Sequence, residues 1–146
     1  MLSRTSEYAL RAMVCLVRHI DESPVSGKRI ADATGIPPKY LSNILSDLVR
    51  AGVLTSAPGA GGGFAMVRSP KVVSLQEILT PFESILGPSR PCPFGNEVCN
   101  DDQPCAGHDR WKNVKEVYAK FLRDTTIYEV SIHHANGNGL NQRKPR

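Results

Sequence analysis

No apolar run in this sequence approaches the roughly 18 residues that a membrane-spanning helix needs, so no membrane partner is expected. The partly apolar stretch from Tyr8 to Ile20 is interrupted by Arg11 and Arg18 and is not followed by a small-residue cleavage pattern. It reads as a helix and not as a secretory leader, and a cytoplasmic location is expected. Also missing are a Cys-x-x-Cys pair, a glycine fingerprint behind a strand, and any recognisable Ser/His/Asp arrangement. Without those constellations an enzyme is not expected. Charged and apolar fractions, at 22% and 40%, are those of a folded protein and not of a disordered chain.

What is present begins with size and charge. The 146 residues suffice for one domain with an added arm. A net charge of +4 and a pI near 9.0 suit an anionic partner without proving one. Ala9, Ala12, Met13, Leu16, Val17 and Ile20 recur at helical spacing, predicting a first helix over 3–20 with one buried stripe. Cys15 on that helix reads as a small buried hydrophobe.

Ser26 is placed to cap a short helix running to about Thr34 and packing through Ile30 and Ala31. Gly35, Ile36 and Pro37 make a tight turn, and Pro38 suits the first turn of the next helix. That helix buries Leu41, Ile44, Leu45 and Leu48 and stops at Gly52. Two short helices around a tight turn form a helix-turn-helix. Val53 and Leu54, the glycine-rich stretch 57–63, and Phe64 to Val67 then predict a β-hairpin, hence a wing. Ser74 and Glu77 form a capping box for a short fourth helix, limited by Pro81.

The second helix of the pair presents Pro38, Lys39, Tyr40, Ser42, Asn43, Ser46 and Arg50 opposite its apolar stripe. Asn43 suits adenine, Ser42 either base class, and Lys39 or Arg50 phosphate or guanine. An ordinary solvated face is the alternative, and position on the second helix favours DNA. Lys28 and Arg29 open the preceding helix, where phosphate contacts are common. Gly61, Gly62 and Gly63 would let backbone N–H groups approach phosphates; their plain role is to close the hairpin, and both can hold. Arg68 is a further backbone-contact candidate. A winged helix that binds a protein partner is a rival class, and salt-dependent duplex binding separates the two.

Composition changes at 87–108, where four prolines and three glycines rule out regular structure and Cys92, Cys99, Cys105 and His108 stand as C-x6-C-x5-C-x2-H. Thiolates are soft ligands for iron–sulfur clusters, zinc or copper(I). Zinc knuckles open with a closer pair, and the wider spacing suits an iron–sulfur cluster. A zinc site, a cluster-free thiol sensor and an inert loop are the alternatives. Trp111, Val114, Tyr118, Phe121, Leu122, Thr125 and Tyr128 then predict one C-terminal helix of roughly twenty residues. Nothing later in the chain covers its stripe, so a second copy is expected to. His133 to Arg146 reads as a frayed tail, with His133 and His134 solvated.

The fold expected is therefore mainly α: a winged helix-turn-helix domain over 1–86, a cysteine loop over 87–108, a dimerisation helix over 109–132 and a tail over 133–146. Over Leu2 to about Tyr128 the chain resembles the IscR/NsrR-type (Rrf-type) winged-helix regulators. The resemblance rests on Ser6-Glu7-Tyr8-Ala9-Leu10-Arg11, Ile30-Ala31, Tyr40-Leu41 with Ser46, Gly61-Gly62-Gly63-Phe64, the Ser74-to-Ile78 helix start, and three cysteines ahead of Trp111. It implies a homodimer on a palindromic operator in double-stranded DNA, sensing redox state, nitric oxide or iron–sulfur status, and mostly repressing transcription. It implies one cluster per subunit on Cys92, Cys99 and Cys105. The fourth ligand it implies is His108 where the cluster is 2Fe–2S, or Glu7 from the partner where it is 4Fe–4S. The chain departs from many relatives in spacing its first two loop cysteines by six residues and not five. It also has Ala57-Pro58-Gly59-Ala60 where an arginine often precedes the wing glycines, which predicts weaker minor-groove readout.

Overall fold

A computed structural model describes residues 2–84 and 91–132. Helix α1 (Arg4–Arg18) starts where Ser3 accepts a hydrogen bond from the Ser6 N–H, and it buries Ala9, Ala12, Met13, Cys15, Leu16 and Val17. Ile20, expected on that stripe, instead lies on a 3-10 turn (Ile20–Glu22) with 39% of its surface exposed. The helix ends two residues before it, so the 3.6-residue periodicity no longer governs where its side chain points.

Helix α2 (Gly27–Thr34) is capped by Ser26, which accepts from the Arg29 N–H, and ends on Gly35 at φ 70°. That left-handed conformation is the one glycine adopts without penalty. Helix α3 (Pro38–Arg50) starts with Pro38 in its first turn and buries Leu41, Ile44, Leu45 and Leu48. These side chains join the α1 stripe, Ile30 and Ile36 in one core, which is what holds the two short helices at their mutual angle.

The hairpin pairs β1 (Leu54–Ala57) antiparallel to β2 (Gly63–Met66), with Leu54 opposite Met66 and Ala57 opposite Gly63. Val25 extends it: its N–H donates to the Phe64 carbonyl at 2.9 Å and its carbonyl accepts from the Phe64 N–H at 2.8 Å. The wing is thus hydrogen-bonded to the entry of α2. Glycine is required at 63 because a Cβ there would overlap the Val25 carbonyl.

Helix α4 (Leu75–Leu79) forms half of its expected capping box. Ser74 accepts from the Glu77 N–H, but the Glu77 carboxylate pairs with Arg68 and does not turn back to its own helix. The larger correction concerns the C-terminal helix. It is two helices, α5 (His108–Asp124) and α6 (Ile127–Ile132), with Thr125 extended between them. Thr126 and Glu129 make a reciprocal capping box: the Glu129 carboxylate accepts from the Thr126 N–H at 2.7 Å, and Thr126 Oγ1 accepts from the Glu129 N–H at 3.3 Å. Tertiary pairing completes the break, since the Leu75 N–H donates to the Thr125 carbonyl and the Ile127 N–H to Val73, each at 2.9 Å.

The stripe divides accordingly. Ala119, Leu122 and Ile127 are buried and Tyr118 packs partly against the core, whereas Val114, Val117 and Phe121 stay exposed on α5. Residues 87–90 of the expected cysteine loop and the tail from His133 on, including His134, lie outside the described residues.

Ser26→Ala is expected to lower unfolding free energy by about 1 kcal/mol in chemical denaturation, the usual worth of an N-cap. Gly63→Ala is expected to cost more, because the strand must part from Val25 to admit the methyl group.

Candidate nucleic-acid interface and metal centre

Helix α3 turns Pro38, Lys39, Tyr40, Ser42, Asn43, Ser46 and Arg50 to solvent, with Tyr40 62% exposed. Lys28 and Arg29 are exposed at the start of α2, and Arg68 is exposed just beyond the wing. The positions singled out on the two helices therefore fall on the outer surface of the helix-turn-helix.

Most of the cations there already hold a carboxylate. Lys28 pairs with Asp32 at 3.1 Å, Arg29 with Glu22 at 3.3 Å, Arg50 with Asp47 at 2.6 Å, and Arg68 with Glu77. Solvent-exposed pairs of this kind are worth about 0–1 kcal/mol each, so a phosphate can replace the carboxylate at little cost. Lys39 has no carboxylate partner among the described residues.

The wing glycines are accounted for by the hairpin itself. The Gly62 N–H donates to the Gly59 carbonyl at 3.1 Å, which removes it as a free phosphate donor. A Cβ at Gly62 would overlap the Ala57 carbonyl, and Gly61 takes φ 74°. Tight turning is thus visible at Gly61 and Gly62, a role compatible with phosphate contact by other wing N–H groups.

The second site lies where the irregular loop meets the N-terminus of α5. Trp111 on α5 holds the loop edge-on through Phe94, with ring centroids 6.3 Å apart at 89°. Within the loop, the Cys92 N–H donates to the Asn96 carbonyl at 3.0 Å, and the Asn96 side chain donates to the Gln103 carbonyl at 2.9 Å. These bonds fold the spacing of C-x6-C-x5-C back on itself. Cys92 is buried with its sulfur 3.4 Å from that of Cys105. Cys99 Sγ lies 3.6 Å from His108 Nδ1 and 3.8 Å from Lys115 Nζ.

His108 is 6% exposed, and its other nitrogen, Nε2, is 2.9 Å from Asp101 Oδ1. Lys112 closes on the same carboxylate at 2.9 and 3.1 Å. The electrostatics are graded. The Phe94 N–H, donating to Cys92, is the main influence holding that thiol below its ordinary pKa, with Cys105 and Cys99 adding to it. The hydrogen bond to Cys92, with burial next, pushes the Cys105 thiol up. His108 and Lys112 hold the Asp101 carboxyl below its ordinary value.

Among the described residues, no three Cys, His, Asp or Glu side chains close into a cage for a single metal ion. The donors form two pairs, 92 with 105 and 99 with 108. Their chemistry, three soft thiols and one imidazole on a single short segment, fits an iron–sulfur group, whose irons lie apart, better than one tetrahedral ion. Glu7 is exposed on the first turn of α1 and has no hydrogen bond or ion pair to this loop among the described residues. Asp101, Lys112 and Lys115 were not singled out from sequence. The signal available was position: Asp101 follows Cys99 by two residues, and Lys112 lies one helical turn after His108.

A helix-turn-helix followed by a hairpin wing, with a polar face exposed on its second helix, defines a winged-helix fold. Residues 2–132 match the family model described as "Rrf2: Iron-dependent Transcriptional regulator". The chain belongs to the Rrf2 family. Among curated relatives, the HTH-type transcriptional regulator IscR of Yersinia enterocolitica is 27% identical over 129 residues, covering 88% of this chain and 77% of its own. IscR of Serratia proteamaculans is 28% identical over the same span and coverage. Among solved structures, T. potens IscR superposes with a TM-score of 0.75 at 25% identity, covering 95% of this chain and 93% of its own. CymR, the global cysteine regulator of B. subtilis, superposes at 0.76 with 24% identity, covering 91% and 97%. The function is regulatory and not enzymatic. No helix among the described residues is long and apolar enough to cross a membrane.

Replacing Asn43 or Ser42 by Ala is expected to cost about 1–3 kcal/mol of discrimination between cognate and mutated operators for each base that the side chain reads. Competition binding with single-base operator variants measures this, and unchanged sequence preference would remove the residue from the reading set.

Proposed function

We propose that the chain is a homodimeric transcriptional repressor of the cytoplasm that binds a palindromic operator and senses redox state, nitric oxide or iron–sulfur supply through one iron–sulfur cluster per subunit. The observation that carries this reading is the gathering of Cys92, Cys99, Cys105 and buried His108 at the N-terminus of α5. Those four residues would hold the group, which supplies a redox-active centre that oxidants and nitric oxide attack. His108, facing Cys99, stands ready as a fourth ligand from within the chain, which supports the 2Fe–2S form; Glu7, exposed on α1, is the alternative that a partner subunit would donate.

The residues around the site transmit its state. The loop is tied to α5 through the Phe94–Trp111 contact, and α5 ends on the Thr125 carbonyl that Leu75 of α4 uses. Glu83, just past α4, accepts from the Ser3 N–H at 2.7 Å and from the Ser6 hydroxyl at 2.9 Å, at the start of α1. A change in how the loop seats on α5 therefore reaches α1 and α4, which carry the helix-turn-helix. Coupling of 1–3 kcal/mol would alter operator occupancy about 5–150-fold.

Val114, Val117 and Phe121 form the exposed apolar face on which a second copy would dock, setting two reading helices against half-sites one DNA turn apart. Phe121→Asp is expected to shift the monomer–dimer equilibrium toward monomer by about 30-fold or more, the effect of a 2 kcal/mol interface anchor. Sedimentation equilibrium reads that shift directly.

A second reading keeps the regulator and removes the metal. The 3.4 Å separation of Cys92 and Cys105 sulfurs suits a disulfide, formed when a peroxide takes two electrons and two protons from the thiols and leaves as water. A structural neighbour at a TM-score of 0.69 and 21% identity, Staphylococcus aureus CymR, was solved in an oxidized form.

Anaerobic purification with absorption spectroscopy, iron and sulfide assay decides between the two. Bound iron and sulfide that disappear in Cys92→Ala support the cluster. A colourless, iron-free protein whose operator affinity responds to peroxide assigns the thiol mechanism. Loss of the cluster in His108→Ala but not in Glu7→Ala identifies the fourth ligand.

A further inference from the structure

We infer that Asp101 is the positioning residue of the cysteine site: its carboxylate accepts the Nε2–H of His108 and thereby leaves the Nδ1 lone pair facing Cys99 as the ligating atom. The inference rests on the cluster reading above and goes past it, by naming which imidazole nitrogen binds and what makes it available.

The geometry is specific. A neutral imidazole carries its proton on one nitrogen and a lone pair on the other, and the partner of one nitrogen decides which. Nε2 is 2.9 Å from Asp101 Oδ1, and Nδ1 is 3.6 Å from Cys99 Sγ. Asp101 is itself oriented by Lys112, whose ammonium spans both carboxylate oxygens at 2.9 and 3.1 Å. A carboxylate so clamped is an acceptor, so the proton belongs on Nε2. His108 is buried, and its ring is bracketed by Asp101 on one side and Cys99 on the other.

Lys112 and His108 are one turn apart on α5, so the helix sets their separation while the loop delivers Asp101 between them. A histidine that ligates metal through one nitrogen and donates the other N–H to a carboxylate gains orientation and basicity, and removing such a partner typically weakens metal retention about 10–100-fold. Asp101 contacts His108, the residue that would ligate, so its role would be exercised through that side chain.

The test uses the full chain in two states. In metal-free protein carrying 15N-labelled histidine, NMR is expected to show His108 as the Nε2–H tautomer. Asp101→Ala should turn it into a mixture, and Asp101→Asn, which keeps an acceptor oxygen, should restore the wild-type pattern in part. A wild-type His108 protonated on Nδ1, or a tautomer unmoved by Asp101→Ala, would overturn the assignment. After anaerobic reconstitution with iron and sulfide, Asp101→Ala is expected to lose its cluster to a chelator about 10–100-fold faster than wild type, with a shifted reduction potential. Equal loss rates and equal potentials would sink the positioning role while leaving the cluster reading intact. Wild type that takes up neither iron nor sulfide would remove the cluster reading and the metal-directed role with it. Circular dichroism and the melting transition of each variant separate these outcomes from misfolding.

Discussion

Two backbone hydrogen bonds, Leu75 N–H to Thr125 and Ile127 N–H to Val73, pin the C-terminal arm to the winged-helix domain beside the packing of α6 on α1. They join the segment entering α4 to the point where the C-terminal arm breaks. A continuous helix through Thr125 would have spent the Thr125 carbonyl and the Ile127 N–H on its own ladder, leaving the Leu75 N–H and the Val73 carbonyl without these partners. An unpaired backbone group buried away from water costs about as much as a missing hydrogen bond, so the break and the docking stabilise each other. Ile127, fully buried, and Ser131, whose hydroxyl donates to the Ile127 carbonyl at 2.6 Å, then seat α6 against α1. The consequence for α5 is direction: its start lies at the cysteine loop, its end is fixed to the winged-helix domain, and one face stays apolar and uncovered.

A second tie reinforces the first at the other end of α1. Glu83 places a carboxylate at the α1 N-terminus, where exposed backbone N–H groups favour negative charge, and binds both Ser3 and Ser6. Helix α1 is thus packed by α6 and held at its start by the residue after α4. It also packs against α2 and α3. A regulator built this way has no independent reading head. Under the proposed reading, a shift of α5 would reach α1 through α4 and α6, and α1 packs beneath α2 and α3.

The winged helix was legible because its signals are local and chemical: Ser26, Gly35 and Pro38 each satisfy a backbone requirement that few other residues meet. The core positions on α3 followed from spacing alone. The C-terminal break was written in the sequence too, as Thr126-x-x-Glu129, but periodicity through Tyr128 masked it, and the deciding partner, Leu75, lies about fifty residues away. The half-made capping box at Ser74 failed for a related reason. Glu77 satisfies the local pattern, yet Arg68 offers it a charged partner that helix geometry does not reveal. In the cysteine loop the candidate donors stood out by their spacing, whereas Asp101, Lys112 and Lys115 did not. Charged residues in a polar loop look alike until the loop is folded.

The loop also explains why a sensor would be placed here and not in the core. Between Pro91 and Gly107 it has no helix or strand, and its large apolar groups, Phe94 and Val98, remain substantially exposed. What holds it is one edge-on aromatic contact, a few hydrogen bonds, and the side chains of Cys92, Cys99, Cys105 and His108 themselves. Such a segment sits at the low end of the range of local stabilities within a fold. The chemical state of its sulfurs therefore weighs heavily on its conformation, where the same change in the α1–α3 core would be outweighed by packing. Under the proposed reading, sulfur chemistry that adds or removes a cross-link in this loop needs to supply only a few kcal/mol to choose between two seats on α5. That is the magnitude a switch in DNA affinity requires.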